Sequence, residues 1–232
     1  MIDQLWLILL GFAAGLLGSM IGLGGGIIVV PVLTFLGFPP TAAASNSLFA
    51  ALSNAVASTI SYSKQKRIEY SLGLRLGLLS IPGTILGAVM STDVAPDLFK
   101  ILFGFVLIAS AAYIFLRKKI ETKEKTISKQ MMIFAIGASF FAGVISSFFG
   151  IGGGIIFVPL MVVGMGMAMK KAAPTSQMIL LFASLSGVVV HSLLGHPDFL
   201  QAGFLSIGSF IGGLVGARLS IDVKERYLQI LV

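Results

Sequence analysis

Two glycine-rich motifs stand inside apolar sequence and could bind an anion through their backbone. They are GLGGGIIVVPVL at residues 22–33 and GIGGGIIFVPLM at residues 150–161. Each glycine weakens a helix by about 1 kcal/mol relative to alanine, so three in a row predict a break. The β-branched run before each proline predicts extended backbone, with the proline in the first turn of the next helix. Such a helix start offers N–H groups and a positive dipole end to a negative charge.

Neutral polar side chains flank each motif and could complete the coordination of an anion. SNS at residues 45–47 and TSQ at residues 175–177 follow the motifs, and one serine precedes each break. Helix capping and interhelical hydrogen bonds are the alternative role of these side chains, and close packing is that of the glycines. The candidate substrate-binding residues are Ser19, Gly24, Gly25, Gly26, Asn46, Ser47, Ser147, Gly152, Gly153, Gly154, Ser176 and Gln177. Gly208, Gly212 and Gly216 have the spacing of a packing stripe alone.

The composition requires a membrane around these motifs. Of 232 residues, 56% are hydrophobic and 11% are charged, against about 25% charged in soluble domains. No charged residue occurs within residues 4–63, enough to cross about 30 Å of hydrocarbon more than once. The first apolar segment lacks a basic start and a small-residue cleavage site, so we expect it to be retained. These features exclude a soluble enzyme and a disordered chain, and the absence of cysteine excludes thiol chemistry.

The net charge of +7 is distributed as a topology signal rather than a nucleic-acid-binding face. Basic loops occur at residues 64–75, 117–129, 170–171 and 218–226, whereas the loops around Asp3, Asp93 and Asp198 are acidic. Positively charged loops favour the cytoplasmic side. We therefore expect a multi-pass protein of the cell inner membrane, in contact with lipid, with its N-terminus outside.

The chain also repeats itself. Residues 1–116 form the first repeat, residues 117–130 a basic cytoplasmic linker, and residues 131–232 the second repeat. Aligning the motifs places Asn46 opposite Ser176 and Ser47 opposite Gln177. Because equivalent loops change the sign of their charge, the sequence predicts an all-α polytopic membrane protein with two inverted-topology repeats. In each, a helix–GGG break–helix hairpin, at 5–36 and 131–164, precedes about three transmembrane helices, and the last span is expected to be truncated at Val232.

Catalytic chemistry finds little support. No Asp or Glu lies inside a predicted span, so we predict no metal site, no cofactor and no protease. His191 is the one ionisable group inside a span. A hydrogen-bonded interfacial histidine is the favoured interpretation, and titration in a proton-coupled cycle is the alternative. A membrane enzyme is the least supported function class.

The two glycine motifs, with the SNSL and TSQM stretches after them, resemble those of the TauE/SafE sulfite-exporter family, also called the toluene sulfonate uptake permease family. The resemblance covers nearly the whole chain. It implies a carrier for sulfite, sulfonates and related small organosulfur anions in a bacterial or archaeal cytoplasmic membrane. The family's usual length includes one more C-terminal span, so the ending at Val232 is a departure.

We therefore predict a secondary transporter, exporter or permease, for a small sulfur-containing anion, with alternating access to a site at the midplane. A passive anion channel of the same fold is the alternative. The sequence leaves open which anion is carried, the direction, the coupling ion and whether two copies form a homodimer.

Overall fold

The computed structural model describes residues 4–92, 94–116 and 129–223, which fold into helices without a strand among them. In chain order the α-helices are α1 (Trp6–Ile21), α2 (Gly26–Phe35), α3 (Pro40–Lys64), α4 (Tyr70–Met90), α5 (Pro96–Leu116), α6 (Lys129–Phe149), α7 (Gly154–Pro159), α8 (Met169–Leu193) and α9 (Phe199–Leu219). A π-helical segment, Leu160–Gly164, continues α7. The all-α fold class is confirmed.

Four of the described helices, α4, α6, α8 and α9, are long and apolar enough to cross a bilayer. Large apolar side chains project from the bundle, such as Phe105 and Leu193, with 70% and 82% of their surface exposed. Exposed apolar surface of this kind suits contact with lipid. A multi-pass helical membrane protein is confirmed, while the number of spans in each half stays a prediction.

Glycines separate the first two helices of each half. α1 ends at Ile21 and α2 begins at Gly26, while α6 ends at Phe149 and α7 begins at Gly154. Between them the backbone takes φ angles of 74° to 82° at Gly22, Gly24, Gly25, Gly150, Gly152 and Gly153. Residues with a Cβ rarely adopt positive φ, so these turns need glycine.

The prolines of the two motifs lie elsewhere than the sequence predicts. Pro31 lies inside α2, and Pro159 is the last residue of α7. The β-branched residues before them are helical, so the expectation of extended backbone there is wrong. The helix restarts directly after the glycines because tertiary packing outweighs the weak β-propensity of Ile and Val. Proline lacks an N–H and obstructs an ordinary α-turn, and α7 passes into the wider π-helical turns directly after Pro159.

Close backbone contacts hold the outer helix pairs together. α1 packs on α9, and α6 packs on α4. A Cβ added to Gly212 would lie 2.8 Å from the backbone nitrogen of Leu16, and one added to Gly83 would lie 2.9 Å from the carbonyl carbon of Phe140. Such distances leave no room for a side chain, so the interpretation of Gly212 as a packing residue is confirmed.

The polar helices α3 and α8 lie between these two pairs. α3 packs on α9 and α8, and α8 packs on α4 and α3. Small side chains dominate the buried face of α3, so its serines and asparagines reach neighbouring helices. The predicted linker up to residue 128 and the predicted truncated last span lie outside the described residues.

Candidate substrate site at the helix breaks

The two helix breaks contact each other directly in the centre of the bundle. A Cβ added to Gly26 would lie 2.7 Å from the α-carbon of Ile151, and one added to Gly154 would lie 2.6 Å from the α-carbon of Leu23. The start of each short helix therefore lies against the break in the opposite half. The structure thus brings together the glycine residues that the sequence singles out.

A serine from each central helix fastens this contact. The Ser47 hydroxyl of α3 donates to the carbonyl oxygen of Gly150 at 2.8 Å, and the Ser176 hydroxyl of α8 donates to that of Gly22 at 2.7 Å. Both side chains are fully buried. Each serine thus holds the break of the other half and satisfies a carbonyl that would otherwise be buried without a partner.

These reciprocal bonds correct the alignment of the halves by one residue. Ser47 is equivalent to Ser176, whereas the sequence alignment places Ser47 opposite Gln177. Asn46 is accordingly equivalent to Thr175. The Asn46 side-chain oxygen accepts from the backbone N–H of Asp198, as the Thr175 hydroxyl accepts from that of Glu69, both at 3.0 Å. Sequence identity over residues 43–48 also favours the corrected register, which pairs three identical residues where the sequence alignment pairs one.

The two candidate amides have different surroundings. Asn46 uses both ends of its amide, since its nitrogen also donates to the side-chain oxygen of Gln201 at 3.0 Å. Gln177 donates to the carbonyl of Gly18 at 2.8 Å. Its own side-chain oxygen is buried and lacks a partner among the described residues. Asn46 therefore ties α3 to the start of α9, whereas Gln177 keeps unused hydrogen-bonding capacity beside the first break.

The two serines before the breaks act through their carbonyl oxygens. That of Ser19 accepts from the Tyr62 hydroxyl at 2.8 Å, and that of Ser147 accepts from Nε2 of His191 at 3.0 Å. The Ser19 hydroxyl turns back to the carbonyl of Leu16. The Ser147 hydroxyl is buried and unpartnered among the described residues. Sequence reasoning missed Tyr62, although it is an aromatic hydroxyl in an otherwise small and polar helix.

Leu180 of α8 fills the space between the two breaks. Its Cδ2 atom is the nearest atom to the position of an added Cβ at Gly24, and it would lie 3.2 Å from one at Gly152. All candidate side chains and glycines are buried. The structure therefore has a closed centre. Sequence reasoning missed Leu180 because nothing distinguishes it from other leucines of α8.

The electrostatics of this centre come from backbone and neutral groups. Residues 11–62 and 131–169 carry no charged side chain, and the described charged side chains lie at the helix ends. A cavity of about 330 Å³ lies at one such end, lined by Glu69, Arg75 and Lys171 with three methionines. The chemistry available at the breaks is therefore hydrogen bonding by N–H, hydroxyl and amide groups, which suits an uncharged ligand or a small anion.

The comparisons with known proteins agree with this arrangement. The profile described as sulfite exporter TauE/SafE matches residues 7–232. The "probable membrane transporter protein YunE" of Bacillus subtilis (strain 168) is 31% identical, with 97% of this chain and 92% of that protein covered. Similarly named proteins of Methanocaldococcus jannaschii and Sinorhizobium sp are each 26% identical, covering 97% and 98% of this chain and 90% and 87% of their own lengths. No solved structure matches. The chain belongs to the TauE/SafE sulfite exporter family of membrane transporters.

Proposed function

We propose that this protein is a secondary transporter, exporter or permease, for a small sulfur-containing anion such as sulfite or an organosulfonate. The observation that carries the proposal is the reciprocal contact of the two breaks through Ser47 and Ser176. The substrate class is supported by the description of the family, which names sulfite.

The backbone at the breaks supplies the binding groups in this proposal. First-turn N–H groups of a helix, here those of Gly26 and Ile27 in α2, have no intrahelical acceptor. They lie at the positive end of the helix dipole and attract negative charge. The second N–H of the Gln177 amide adds a neutral donor, and the Ser176 hydroxyl adds another when its bond to the Gly22 carbonyl opens. Neutral donors bind an anion without the tight hold of a buried cation, which suits release on the other side of the membrane.

The proposed topology is that of two inverted repeats. Each half places a serine of its central helix on the break of the other half, and each pairs its broken helix with the fourth helix of the opposite half. These reciprocal contacts support a pseudo-two-fold axis in the membrane plane. With positive charge inside, the loop after Lys64 faces the cytoplasm and the loop containing His196 faces outward.

Alternating access requires the closed centre to open on one side at a time. Leu180 occupies the space between the breaks, so an anion at the glycines displaces it. α3 and α8 contact both breaks, while the pairs α1–α9 and α4–α6 are locked by backbone contacts. We propose that α3 and α8 move with the breaks between these two rigid pairs.

A thermal-shift panel on the purified protein tests the binding step first. The panel contains sulfite, sulfoacetate, taurine, sulfate, acetate and chloride. A ligand at 100 times its Kd should stabilise the fold by about 2.7 kcal/mol. Selective stabilisation by sulfite or a sulfonate, followed by uptake of that anion into proteoliposomes, supports the proposal. Uptake with counterflow indicates a transporter, and conductance without counterflow contradicts it.

Substitution of Leu180 tests the location of the anion site better than substitution of the glycines does. Substitution at Gly25 is strained by its φ of 82° and would bring a Cβ within 2.7 Å of the carbonyl oxygen of Ala14. Leu180→Ala instead enlarges the space between the breaks, so we expect the affinity for the anion to change at least several-fold. Leu185→Ala, the same change at an exposed position of the same helix, is the control. Equal affinities in both variants would contradict the site.

The orientation is tested with single cysteines, because the native chain has none. Leu194→Cys and Lys64→Cys replace exposed residues at opposite ends of the bundle. A membrane-impermeant thiol reagent applied to intact cells should label the first variant and spare the second. The reverse pattern would invert the proposed topology.

A further inference from the structure

Two side-chain pairs occupy equivalent places at the opposite ends of the molecule. In the first half, Tyr62 at the end of α3 lies under the guanidinium of Arg67, 5.2 Å from ring centre to Cζ. In the second half, His191 at the end of α8 lies against His196, with their Nδ1 atoms 2.8 Å apart. Each pair is separated by five residues, and its first member donates to the carbonyl of the serine before a break.

The chemistry of the two pairs differs in one respect. Arg67 keeps its charge at every physiological pH, whereas a histidine pair can gain or lose a proton. Among the buried side chains of the described residues, His191 is the one that can take up a proton at physiological pH. The repeat therefore places a permanent cation at one end and a titratable group in the same place at the other.

The hydrogen bonds determine where a proton can be added. The carbonyl oxygen of Ser147 accepts only, so Nε2 of His191 carries the hydrogen and Nδ1 of neutral His191 is an acceptor. His196 then donates its own Nδ1 hydrogen across the 2.8 Å contact. The remaining lone pair of the two rings is on Nε2 of His196, which is only partly buried.

One extra proton fits this arrangement without breaking either hydrogen bond. A solvent proton adds to Nε2 of His196. The hydrogen on Nδ1 of His196 then passes to Nδ1 of His191, leaving His196 neutral and His191 positively charged. A second proton would put two hydrogens between the facing Nδ1 atoms, so the pair holds one proton and no more.

The helices packed around this pair bring no charged residue close to it. The helices packed on α8 are α1, α3, α4, α6 and α7, and among the described residues the charged residues of those helices are Lys64, Arg75 and Lys129, at the end of the bundle where α8 begins. That end is about 30 Å from His191 along the helix. In the same loop as His196, the Asp198 carboxylate accepts from the backbone N–H groups of Leu200 and Gln201.

We propose that His191 and His196 form the binding site of one proton that is taken up together with the transported anion. This rests on the function proposed above. The positively charged His191 ring donates through Nε2 to the carbonyl of Ser147, three residues before the glycine turn at Gly150. An anion at the breaks favours the charged form of a nearby base, and the base in turn favours the anion. Burial lowers the pKa of His196 below its usual 6.5, so the pair is neutral at pH 7 until the anion arrives.

Proton uptake on anion binding is the decisive measurement. Methanesulfonate is the probe, because unlike sulfite it has no titratable group near neutral pH. Binding to purified protein is followed by calorimetry in two buffers of different ionisation enthalpy. We expect uptake approaching one proton per anion as the pH falls below 6.5, and an affinity that rises up to tenfold per pH unit.

Variants of the histidine pair test where the proton binds. His191→Gln combined with His196→Gln removes every basic nitrogen of the pair, and His191→Gln combined with His196→Arg replaces the pair with a permanent cation like Arg67. Both double variants should bind the anion without proton uptake and with an affinity that does not change with pH. Tyr62→Phe, which removes the equivalent bond in the first half, should keep the proton uptake of the wild type. Two independent double variants guard against a variant that does not fold.

The outcomes separate this proposal from the function on which it rests. Anion binding without proton uptake in the wild type, or with uptake kept in both double variants, overturns the proton site and leaves the anion transporter standing. If neither methanesulfonate nor sulfite binds, the anion site fails and the proton site fails with it.

Discussion

The two halves of the chain are more alike at the centre of the bundle than at its ends. At the centre, Ser47 and Ser176 make the same hydrogen bond to equivalent glycines, at 2.8 and 2.7 Å. At the ends, Tyr62 stands where the other half has His191. A break built from positive-φ glycines and buried carbonyls tolerates little change, because any Cβ or lost donor costs stability.

The loops that contain Glu69 and Asp198 differ more between the halves than the centre does. Glu69 and Asp198 each precede a helix, and the backbone N–H of each donates to a side chain on the central helix of the other half. Asp198 also caps its own helix through its side chain, while Glu69 instead forms an exposed ion pair with Lys171 at 3.5 Å. In the proposed inverted repeat these loops face opposite sides of the membrane, and the proposal therefore gives each a different environment. The serine–glycine contacts at the centre are therefore the same in both halves, whereas the loops at the two ends of the bundle differ.

The largest loss of stability is expected at the contacts between α1 and α9 and between α4 and α6. Gly83→Ala and Gly212→Ala place a Cβ against the carbonyl oxygens of Phe140 and Phe12. Each should lower the free energy of unfolding by about 1–3 kcal/mol, and by similar amounts, because the two contacts are equivalent. Thermal unfolding in detergent measures this.

Gly203→Ala is the control for these variants, since an added Cβ meets nothing within 4 Å there. It should leave the stability unchanged or raise it by up to about 1 kcal/mol. A large loss of stability in only one of Gly83→Ala and Gly212→Ala would show that the two helix contacts are not equivalently packed.

The next largest loss of stability is expected from removing the hydrogen bonds that Ser47 and Ser176 donate. Ser47→Ala and Ser176→Ala each leave a buried glycine carbonyl without its donor, so each should cost about 1–3 kcal/mol. Ser184→Ala is the matched control, because the Ser184 hydroxyl is buried without a partner among the described residues. Unequal losses at Ser47 and Ser176 would break the equivalence on which the corrected register rests.

A smaller difference in stability is expected between variants of the loop with Asp198 and the loop with Glu69. Asp198→Ala removes a side-chain cap from α9 and should cost about 1 kcal/mol. Glu69→Ala removes only an exposed ion pair and should cost less than about 0.5 kcal/mol. Raising the salt concentration should reduce the second loss and hardly change the first. Equal losses would contradict the difference between these loops.

The smallest effect is a slope of stability with pH. Burial lowers the pKa of His196 in the folded protein, so below the usual value of 6.5 the unfolded chain binds more protons. Stability contributed by neutral His196 is therefore complete above pH 6.5 and falls as the pH is lowered from there. His196→Gln should remove this component, which thermal unfolding between pH 5 and 8 would reveal. An unchanged slope would place its source elsewhere.

Much of the fold class could be predicted from composition and charge. Long apolar segments without charge require helices in a bilayer, because a spanning backbone must satisfy its own hydrogen bonds. The glycine motifs pointed to helix ends through an intrinsic property of glycine. The extent of each break could not be predicted, because whether Ile27 and Val30 are helical depends on packing around α2 rather than on their weak intrinsic preference.

The candidate site could also be predicted from the sequence only in part. Residue types and repetition single out the glycines, Ser47, Ser176 and Gln177, and a match of the family profile over residues 7–232 agrees with the predicted transporter class. Whether these residues bind substrate stays a prediction. Sequence also located His191, but not its partner: a contact between His191 and His196 depends on how the chain turns between α8 and α9.

The sequence by itself therefore determined the environment of the protein and the places where its helices end, because hydropathy, charge and the conformational freedom of glycine are local properties. Only the tertiary structure decided which carbonyl each serine holds and the filling of the centre by Leu180. Those features depend on distances between helices far apart in the chain. They are set by side-chain packing and by the need to pair buried polar groups, which no single segment determines.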